Sequence, residues 1–263
     1  MSSKEHKKYL GKIKKQKLLI NIIRISIVLI FLISWQLLVD LDILNSFILS
    51  SPVKILKTFI FLIKSNNLLK HINITLYETL ISFLLSTCIG IFVASILWIS
   101  NFAAKIFDPF LTVLNSLPKV SLGPIIIIWF GANTNSIIVM ALLISAITSI
   151  ISIYQGFKEV SPNKITLMKS FNANKIQIFL KLILPANYSN IISILKINIS
   201  MSLIGVIMGE LLVSKKGIGY LIMYGSQVFN LDLVMTGIIL LAIISVVIYY
   251  LILYLEKKLI KNN

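Results

Sequence analysis

The chain has 263 residues, of which 57% are hydrophobic and 13% are charged, and its mean hydropathy is +0.95. Soluble domains carry about 45–50% apolar and about 25% charged residues, so this composition excludes an ordinary soluble domain. Several apolar runs reach the roughly 20 residues with which a helix crosses about 30 Å of hydrocarbon. We therefore predict an all-α, polytopic membrane protein with about six transmembrane helices.

The formal net charge is +16, and most of the lysines lie in an N-terminal tail, a central loop and a C-terminal tail. Basic residues of membrane proteins collect in cytoplasmic segments, where they meet anionic lipid. We therefore expect these basic residues to contact the lipid bilayer, and we expect no nucleic-acid binding.

Hydropathy divides the chain into six predicted spans between two basic tails. An even number of spans puts both termini on one side, and seventeen of the 25 basic residues then lie on that side, against six on the other. This excess predicts cytoplasmic termini in the cell (inner) membrane. Because the first apolar run is of span length and no A-x-A-like site follows it, we expect no cleavable signal peptide. The predicted segments are a basic tail at 1–17, a transmembrane domain at 18–255 with spans at 18–41, 76–99, 106–130, 136–154, 194–213 and 233–255, and a basic tail at 256–263.

Two segments depart from a simple spanning pattern. Residues 53–63 have helical periodicity but are too short to span, which predicts an interfacial helix within the linker 42–75. Pro118 and Pro124 flank the stretch LPKVSLGP in the third predicted span. Since proline kinks or ends helices, this span is either broken at that point or begins after it.

Motifs for covalent chemistry are missing from the sequence. It contains no G-x-x-x-x-G-K-[ST] stretch to cradle a phosphate and no H-E-x-x-H zinc motif. His6 and His71 are isolated, and Gly217 and Gly219 fit a turn better than a dinucleotide site. We therefore expect a protein that is not an enzyme, with no catalytic residue, no metal site and no cofactor.

The fifth predicted span carries a row of small and polar residues. Asn198, Ser202, Gly205 and Gly209 follow at spacings of four, three and four, which places them on one helical face. Such a face either packs closely against another helix or lines a translocation path, and both can hold together. Glu210 ends the row, either as an interfacial residue paired with a lysine or as part of an outer gate.

A polar interruption from Gln155 to Ser193 separates the fourth and fifth spans. Within it, residues 170–184 predict a short helix that stops at Pro185. Ile176, Phe179, Leu180 and Ile183 fall at i, i+3, i+4 and i+7, which predicts one apolar stripe. A short amphipathic helix of this kind can enter a groove on a partner or lie on the membrane surface.

The stretch MKSFNANKIQIFLKLILPA, residues 168–186, resembles the cytoplasmic loop of ATP-binding-cassette importer permeases. That loop has E-A-A, then glycine, an apolar stretch and Leu-Pro, which Leu184 and Pro185 match. The E-A-A positions are Thr166, Leu167 and Met168 here, and Asn172 stands at the glycine, where asparagine can keep a left-handed turn. Further landmarks resemble the nitrate/taurine/aliphatic-sulfonate subgroup: H-I-x-I-T-L from His71, W-F-G at 129–131, G-E at 209–210 and G-I-G at 217–219.

The resemblance implies the membrane subunit of an importer with three kinds of partner: a P-loop ATPase at the cytoplasmic loop, an external solute-binding protein and a second permease copy. It also implies a small solute such as a sulfonate, taurine or nitrate, with specificity mostly in the binding protein. The implied pathway or gate residues are Asn198, Ser202, Gly205, Gly209 and Glu210. The implied ATPase-docking residues are Lys169, Ser170, Phe171, Asn172, Ala173, Lys175, Ile176, Phe179, Leu180, Leu184 and Pro185.

The alternative is a self-sufficient secondary transporter or channel. Such a protein needs ion-coupling carboxylates inside its spans. By this criterion Glu210 is the candidate that the sequence identifies, and the importer is therefore the favoured hypothesis.

Overall fold

A computed structural model describes residues 4–65 and 67–260, and its regular structure there is helical throughout. A 3₁₀ turn at Lys119–Leu122 and a π-helical turn at Phe179–Ile183 interrupt the α-helices. The helices are α1 Lys4–Asp40, α2 Ser46–Leu49, α3 Pro52–Lys64, α4 Leu68–Ile99, α5 Asn101–Ser116, α6 Gly123–Phe130, α7 Thr134–Lys158, α8 Pro162–Ser170, α9 Lys175–Ile178, α10 Leu184–Ala186, α11 Tyr188–Val213, α12 Ile218–Gln227 and α13 Leu231–Ile260.

Five helices of the described chain are long and apolar enough to cross a membrane: α1, α4, α7, α11 and α13. The sixth candidate is the pair α5 and α6, which are bent by 88° relative to one another. The all-α fold with about six transmembrane helices is thus confirmed, and the third predicted span is broken at LPKVSLGP. Leu117 is extended ahead of Pro118, and Pro124 occupies the first turn of α6, a position that tolerates proline.

The core is a three-helix group of α4, α7 and α11, in which small residues allow close approach. Gly90 of α4 lies against Ser149 of α7. On α11, a Cβ built on Gly205 would lie 2.5 Å from the Cα of Ala141. The glycines therefore set the distance between these helices.

A second apolar cluster joins α3, α4, α12 and α13 beside this core. The ten-residue helix α12 was not predicted, because the sequence pattern indicated only a turn at Gly217 and Gly219. The turn does exist, since Gly217 has φ +104°, and α12 follows it directly.

Two core helices begin earlier than the hydropathy pattern predicted. α4 begins at Leu68 rather than 76, and α11 begins at Tyr188 rather than 194. The added turns contain polar residues, among them His71 and Thr75, which are buried. Hydropathy underestimates the length of such helices. Polar side chains that face other helices lower the average hydropathy, although they lie in the protein interior.

Candidate functional site

The connection between α7 and α11 carries the segment that resembles an ATPase-docking loop. Its first helix, α8, ends in a Schellman motif. The Asn172 N–H donates to the Lys169 carbonyl at 2.9 Å, and the Ala173 N–H donates to the Met168 carbonyl at 3.2 Å. Asn172 has φ +56°, which confirms the left-handed turn predicted at this asparagine.

The next helix, α9, is capped at its N-terminus by side chains. Asn174 and Gln177 form a capping box, with Asn174 Oδ1 accepting from the Gln177 N–H at 2.8 Å. Lys175 Nζ donates to the carbonyl of Ile99, the last residue of α4, at 3.1 Å. A cation is favourable at a helix C-terminus, so Lys175 ties this connection to the end of α4.

The predicted apolar stripe is divided between two sides. Phe179 is 5% exposed and Ile183 is fully buried, whereas Ile176 and Leu180 are 57% and 56% exposed. Phe179 packs edge-on against Phe157, with ring centroids 5.3 Å apart. Phe179 is thus a core residue rather than part of a protruding face. Phe179 and Ile183 lie on the edge of the stripe that Trp98 of α4 and Phe157 of α7 cover, and the π-helical turn that begins at Phe179 ends the regular 3.6-residue period there.

An exposed apolar surface remains on the outside of this connection, which we call the docking face. It comprises Leu167, Phe171, Ile176 and Leu180, all exposed. Lys169 and Asn172 are exposed beside it. Of the other predicted docking residues, Ser170, Lys175 and Pro185 are exposed, and Ala173 and Leu184 are half-buried.

The opposite end of the core holds a buried polar cluster around Glu210. The Glu210 carboxylate accepts from the Thr75 hydroxyl and from the Gly219 N–H, both at 2.6 Å. Thr75 Oγ1 accepts from the Ile218 N–H at 2.9 Å, and His71 Nδ1 accepts from the Gly217 N–H at 3.0 Å. These side chains satisfy successive backbone donors at the start of α12, so the cluster joins α4, α11 and α12. Glu210 is therefore a buried cluster member rather than half of an interfacial lysine pair.

Glu78 is a buried carboxylate that the sequence analysis missed. It lies three residues after Thr75 on α4 and is 1% exposed. A glutamate inside a predicted span was the available signal, since intramembrane carboxylates are functional candidates by default. Within the described residues, no group of three or more His, Cys, Asp or Glu comes together in a way that could hold a metal ion.

The small-residue face of α11 lies inside the protein. Asn198 Nδ2 donates to Thr87 Oγ1 at 2.7 Å and to Ser86 Oγ at 3.0 Å on α4. Ser202 is buried one turn further along. Gly205 and Gly209 contact Ala141 and Ile137 of α7. Within one chain this face packs against other helices, which is one of the two alternatives that the sequence left open.

A second row of polar residues lies on α5 and was not identified from the sequence. Asn101, Lys105, Asp108, Thr112 and Asn115 are spaced by four, three, four and three residues, so they share one face. All five are exposed. Lys119 continues the row past the end of α5, where its Nζ donates to Asn115 Oδ1 at 3.2 Å. The spacing criterion applied to the fifth span would have found this row.

Replacing Glu210 with glutamine is expected to destabilise the protein. Glutamine keeps one acceptor oxygen, so one of the two buried donors loses its partner, at a cost of about 1–3 kcal/mol. Thermal unfolding of the purified protein measures this loss. The matched control is Glu159→Gln at an exposed position, expected to change stability by less than about 0.5 kcal/mol. Equal melting temperatures for the two variants would contradict the role assigned to the cluster.

Comparison with known proteins identifies the family. Residues 86–261 match the family described as the binding-protein-dependent transport system inner membrane component. The putative aliphatic sulfonates transport permease of Bacillus subtilis (strain 168) is 29% identical over 227 residues, which cover 86% of this chain and 82% of the relative. The taurine transport system permease of Escherichia coli (strain K12) is 23% identical over 221 residues, which cover 82% of this chain and 80% of the relative.

A solved structure agrees at the level of fold. The MetNI methionine ABC transporter, in inward-facing conformations, matches with a TM-score of 0.64 at 17% identity, over 76% of this chain and 97% of its own. The family match covers most of the core and the whole α7–α11 connection. The chain therefore belongs to the binding-protein-dependent inner membrane components, the permease subunits of ATP-driven importers, which work with an ATPase and a solute-binding protein.

Proposed function

We propose that two copies of this chain form the translocation pathway of an importer for small sulfonates, with the polar row of α5 lining the path. The observation that supports this most directly is the exposure of that row on a broken, membrane-length element. Polar side chains and interrupted helices at membrane depth are expected where they face protein or a water-filled cavity. The α11 face cannot serve in this way alone, because α4 and α7 cover it.

The surface of α5 and α6 that a single chain leaves uncovered supports a second copy. No residue of α5 is buried, and Phe102, Phe110, Ile128 and Trp129 of α5 and α6 are all exposed. Surface of this kind is covered either by lipid or by another protein. The polar row is unfavourable against lipid, so a homodimer in which two α5–α6 elements face each other across the path accounts for both sets of residues.

The ATPase is proposed to bind the docking face. Leu167, Phe171, Ile176 and Leu180 are all exposed on this one short connection, and exposed apolar surface is typical of protein interaction sites. Binding of the ATPase at this surface implies that the α7–α11 connection lies in the cytoplasm. The Glu210 cluster would then lie on the outside, where the solute-binding protein would dock. The basic tails agree, since the excess of lysine predicts cytoplasmic termini.

The solute class is supported by two observations. The relatives described above are named for aliphatic sulfonates and taurine. In addition, the polar row with Lys119 carries two lysines, Lys105 and Lys119, against one aspartate, Asp108, and this excess of one positive charge favours an anionic group over a cationic one. Nitrate and similar small anions would be attracted by the same positive charge. The proposal of a sulfonate therefore depends on the names of the relatives.

Transport by the reconstituted complex tests this function. The permease, its ATPase and its binding protein would be placed in liposomes, and uptake of isotopically labelled alkanesulfonate, taurine and nitrate measured with and without ATP. We expect ATP-dependent uptake of a sulfonate. Uptake that continues without ATP and collapses with the ion gradient would support a secondary transporter or channel instead, and ATP-dependent uptake of nitrate alone would overturn the sulfonate assignment.

The lining role of α5 predicts a difference in thiol reactivity between its two sides. Cys88 is the sole cysteine, so Cys88→Ser gives a background without thiols. In that background we expect Thr112→Cys to react with a membrane-impermeant thiol reagent about tenfold faster than Val113→Cys, because thiolates form readily only in water. Both positions are exposed in the single chain. Equal rates, or faster reaction at 113, would contradict the proposed pathway.

A further inference from the structure

A cavity of about 310 Å³ lies where the ends of α4 and α7 meet α8 and α9. Its polar lining comprises Trp98, Asn101, Tyr154, Lys158, Lys169 and Lys175. None of the four residues of the docking face lines it. The cavity is therefore a basic feature of the α7–α11 connection that is distinct from the apolar surface on its outside.

Three lysines from three different helices surround this cavity. Lys158 lies in the last turn of α7 and Lys169 in the last turn of α8, whereas Lys175 is the first residue of α9. Lys158 Nζ lies 5.1 Å from the centroid of the Tyr154 ring, and Lys175 Nζ donates to the Ile99 carbonyl. An ammonium group has three donors, so both lysines can bind a ligand without leaving these partners. A helix C-terminus accounts for Lys158 and Lys169 one at a time, but it does not account for the gathering of all three around one cavity.

The positive charge of the cavity has no acidic counterpart in the described part of the chain. No aspartate or glutamate lines it. The segment 155–193 has five lysines and a single acidic residue, Glu159, which is exposed. The one ion pair of the described residues joins Lys196 and Glu256, and neither of these lines the cavity. Like charges around one cavity repel each other, and an anion bound between them would remove that repulsion.

We propose that this cavity binds a phosphate group, carried either by an anionic phospholipid or by a soluble phosphate ester. Lysine is a common phosphate ligand, and the Asn101 amide and the Trp98 indole can supply further N–H donors. Basic pockets at the cytoplasmic ends of membrane helices bind phospholipid head groups, and Trp98 and Tyr154 are residue types typical of the membrane interface. These two observations favour the lipid as the source of the phosphate. The site uses neither the solute class nor the pathway of the importer.

Binding to the full-length permease, purified in a neutral detergent, tests the site. Anionic phosphatidylglycerol and zwitterionic phosphatidylcholine would be titrated separately, and native mass spectrometry would count the bound lipids. We expect phosphatidylglycerol to bind about tenfold more tightly than phosphatidylcholine. In parallel, glycerol phosphate would be added without lipid, and the melting temperature compared with that in sodium chloride of equal ionic strength. Preference for phosphatidylglycerol identifies a lipid head group as the occupant, and a response to glycerol phosphate alone identifies a soluble ester.

Paired substitutions connect the response to the cavity. Lys158→Gln/Lys169→Gln removes two of the three charges and should reduce the preference for phosphatidylglycerol to less than about twofold, together with any response to glycerol phosphate. Lys164→Gln/Lys181→Gln removes the same charge from exposed positions that do not line the cavity and should keep both. Lys158→Arg/Lys169→Arg retains the charge and should also keep binding, which separates loss of the site from loss of folding.

Equal losses in the two glutamine pairs would overturn the proposal, because they would indicate a general effect of charge rather than a site. The absence of a response to either probe in the wild type would overturn it as well. If that absence were accompanied by loss of ATPase co-purification in Lys158→Gln/Lys169→Gln, acidic side chains of the ATPase would be the partner of these lysines instead. No transport is measured, so failure of this proposal leaves the importer function unaffected.

Discussion

Gly205→Leu is expected to separate α11 from α7 and to leave little correctly folded permease. A Cβ at this position would lie 2.5 Å from the Cα and 3.0 Å from the Cβ of Ala141, and backbone atoms in a packed core cannot retreat. Overpacking costs about 1–3 kcal/mol, and leucine adds three carbons beyond the Cβ, so we expect a loss at or above about 3 kcal/mol. Gel filtration and thermal unfolding of the detergent-purified protein measure it.

The control for this substitution is another helical glycine. A Cβ added to Gly11 of α1 would meet no atom within 4 Å, so Gly11→Leu should leave both measurements nearly unchanged. Equal destabilisation by the two substitutions would mean that the glycines of α11 do not set the helix spacing. A well-folded Gly205→Leu protein that fails only in transport would instead favour a pathway role for this face.

Leu180→Asp is expected to abolish ATP-driven transport while leaving the permease folded. Leu180 is exposed on the docking face, so a charge there costs little in the isolated chain but would be buried without a partner when the ATPase binds. Co-purification of the ATPase and ATP-dependent uptake should both fall to background, while the melting temperature of the permease shifts by no more than about two degrees.

Two further variants make this result specific. Asn163→Asp adds the same charge at an exposed position in the first turn of α8, where an anion is favourable, and should retain uptake. Phe179→Ala alters the neighbouring but buried side chain, and its expected cost of about 3–5 kcal/mol should appear as lower stability of the permease itself. Normal ATPase binding by Leu180→Asp would exclude the docking face as the contact surface.

The sequence was sufficient for features that depend on local chemistry or on average composition. The helical membrane class follows from apolar runs of span length, and the left-handed turn at Asn172 follows from the few residue types that tolerate it. The break at Pro118 and Pro124 is of the same kind, because a missing backbone donor acts wherever proline occurs. None of these predictions required knowledge of the neighbouring helices.

Features that depend on which face of a helix is covered by its neighbours could not be predicted from the sequence. The α11 row and the α5 row have the same spacing, yet α4 and α7 cover one and the single chain leaves the other exposed. Phe179 was grouped with Ile176 and Leu180 by its spacing, and spacing does not show that Trp98 and Phe157 cover it. The partners of Glu210 lie on α4 and α12, outside its own helix, so periodicity gives no indication of them.

The bond from Lys175 to the end of α4 connects the docking segment to a long element without a proline break. α4 has 32 residues, so it measures about 48 Å at about 1.5 Å per residue. Its far end carries His71 and Thr75, which hold the start of α12. A rotation of about 5° around its midpoint would move each end by about 2 Å, more than a hydrogen bond tolerates. With the ATPase on the proposed docking face, its small movements would therefore act on the Glu210 cluster at the other end of α4 as on the far arm of a lever.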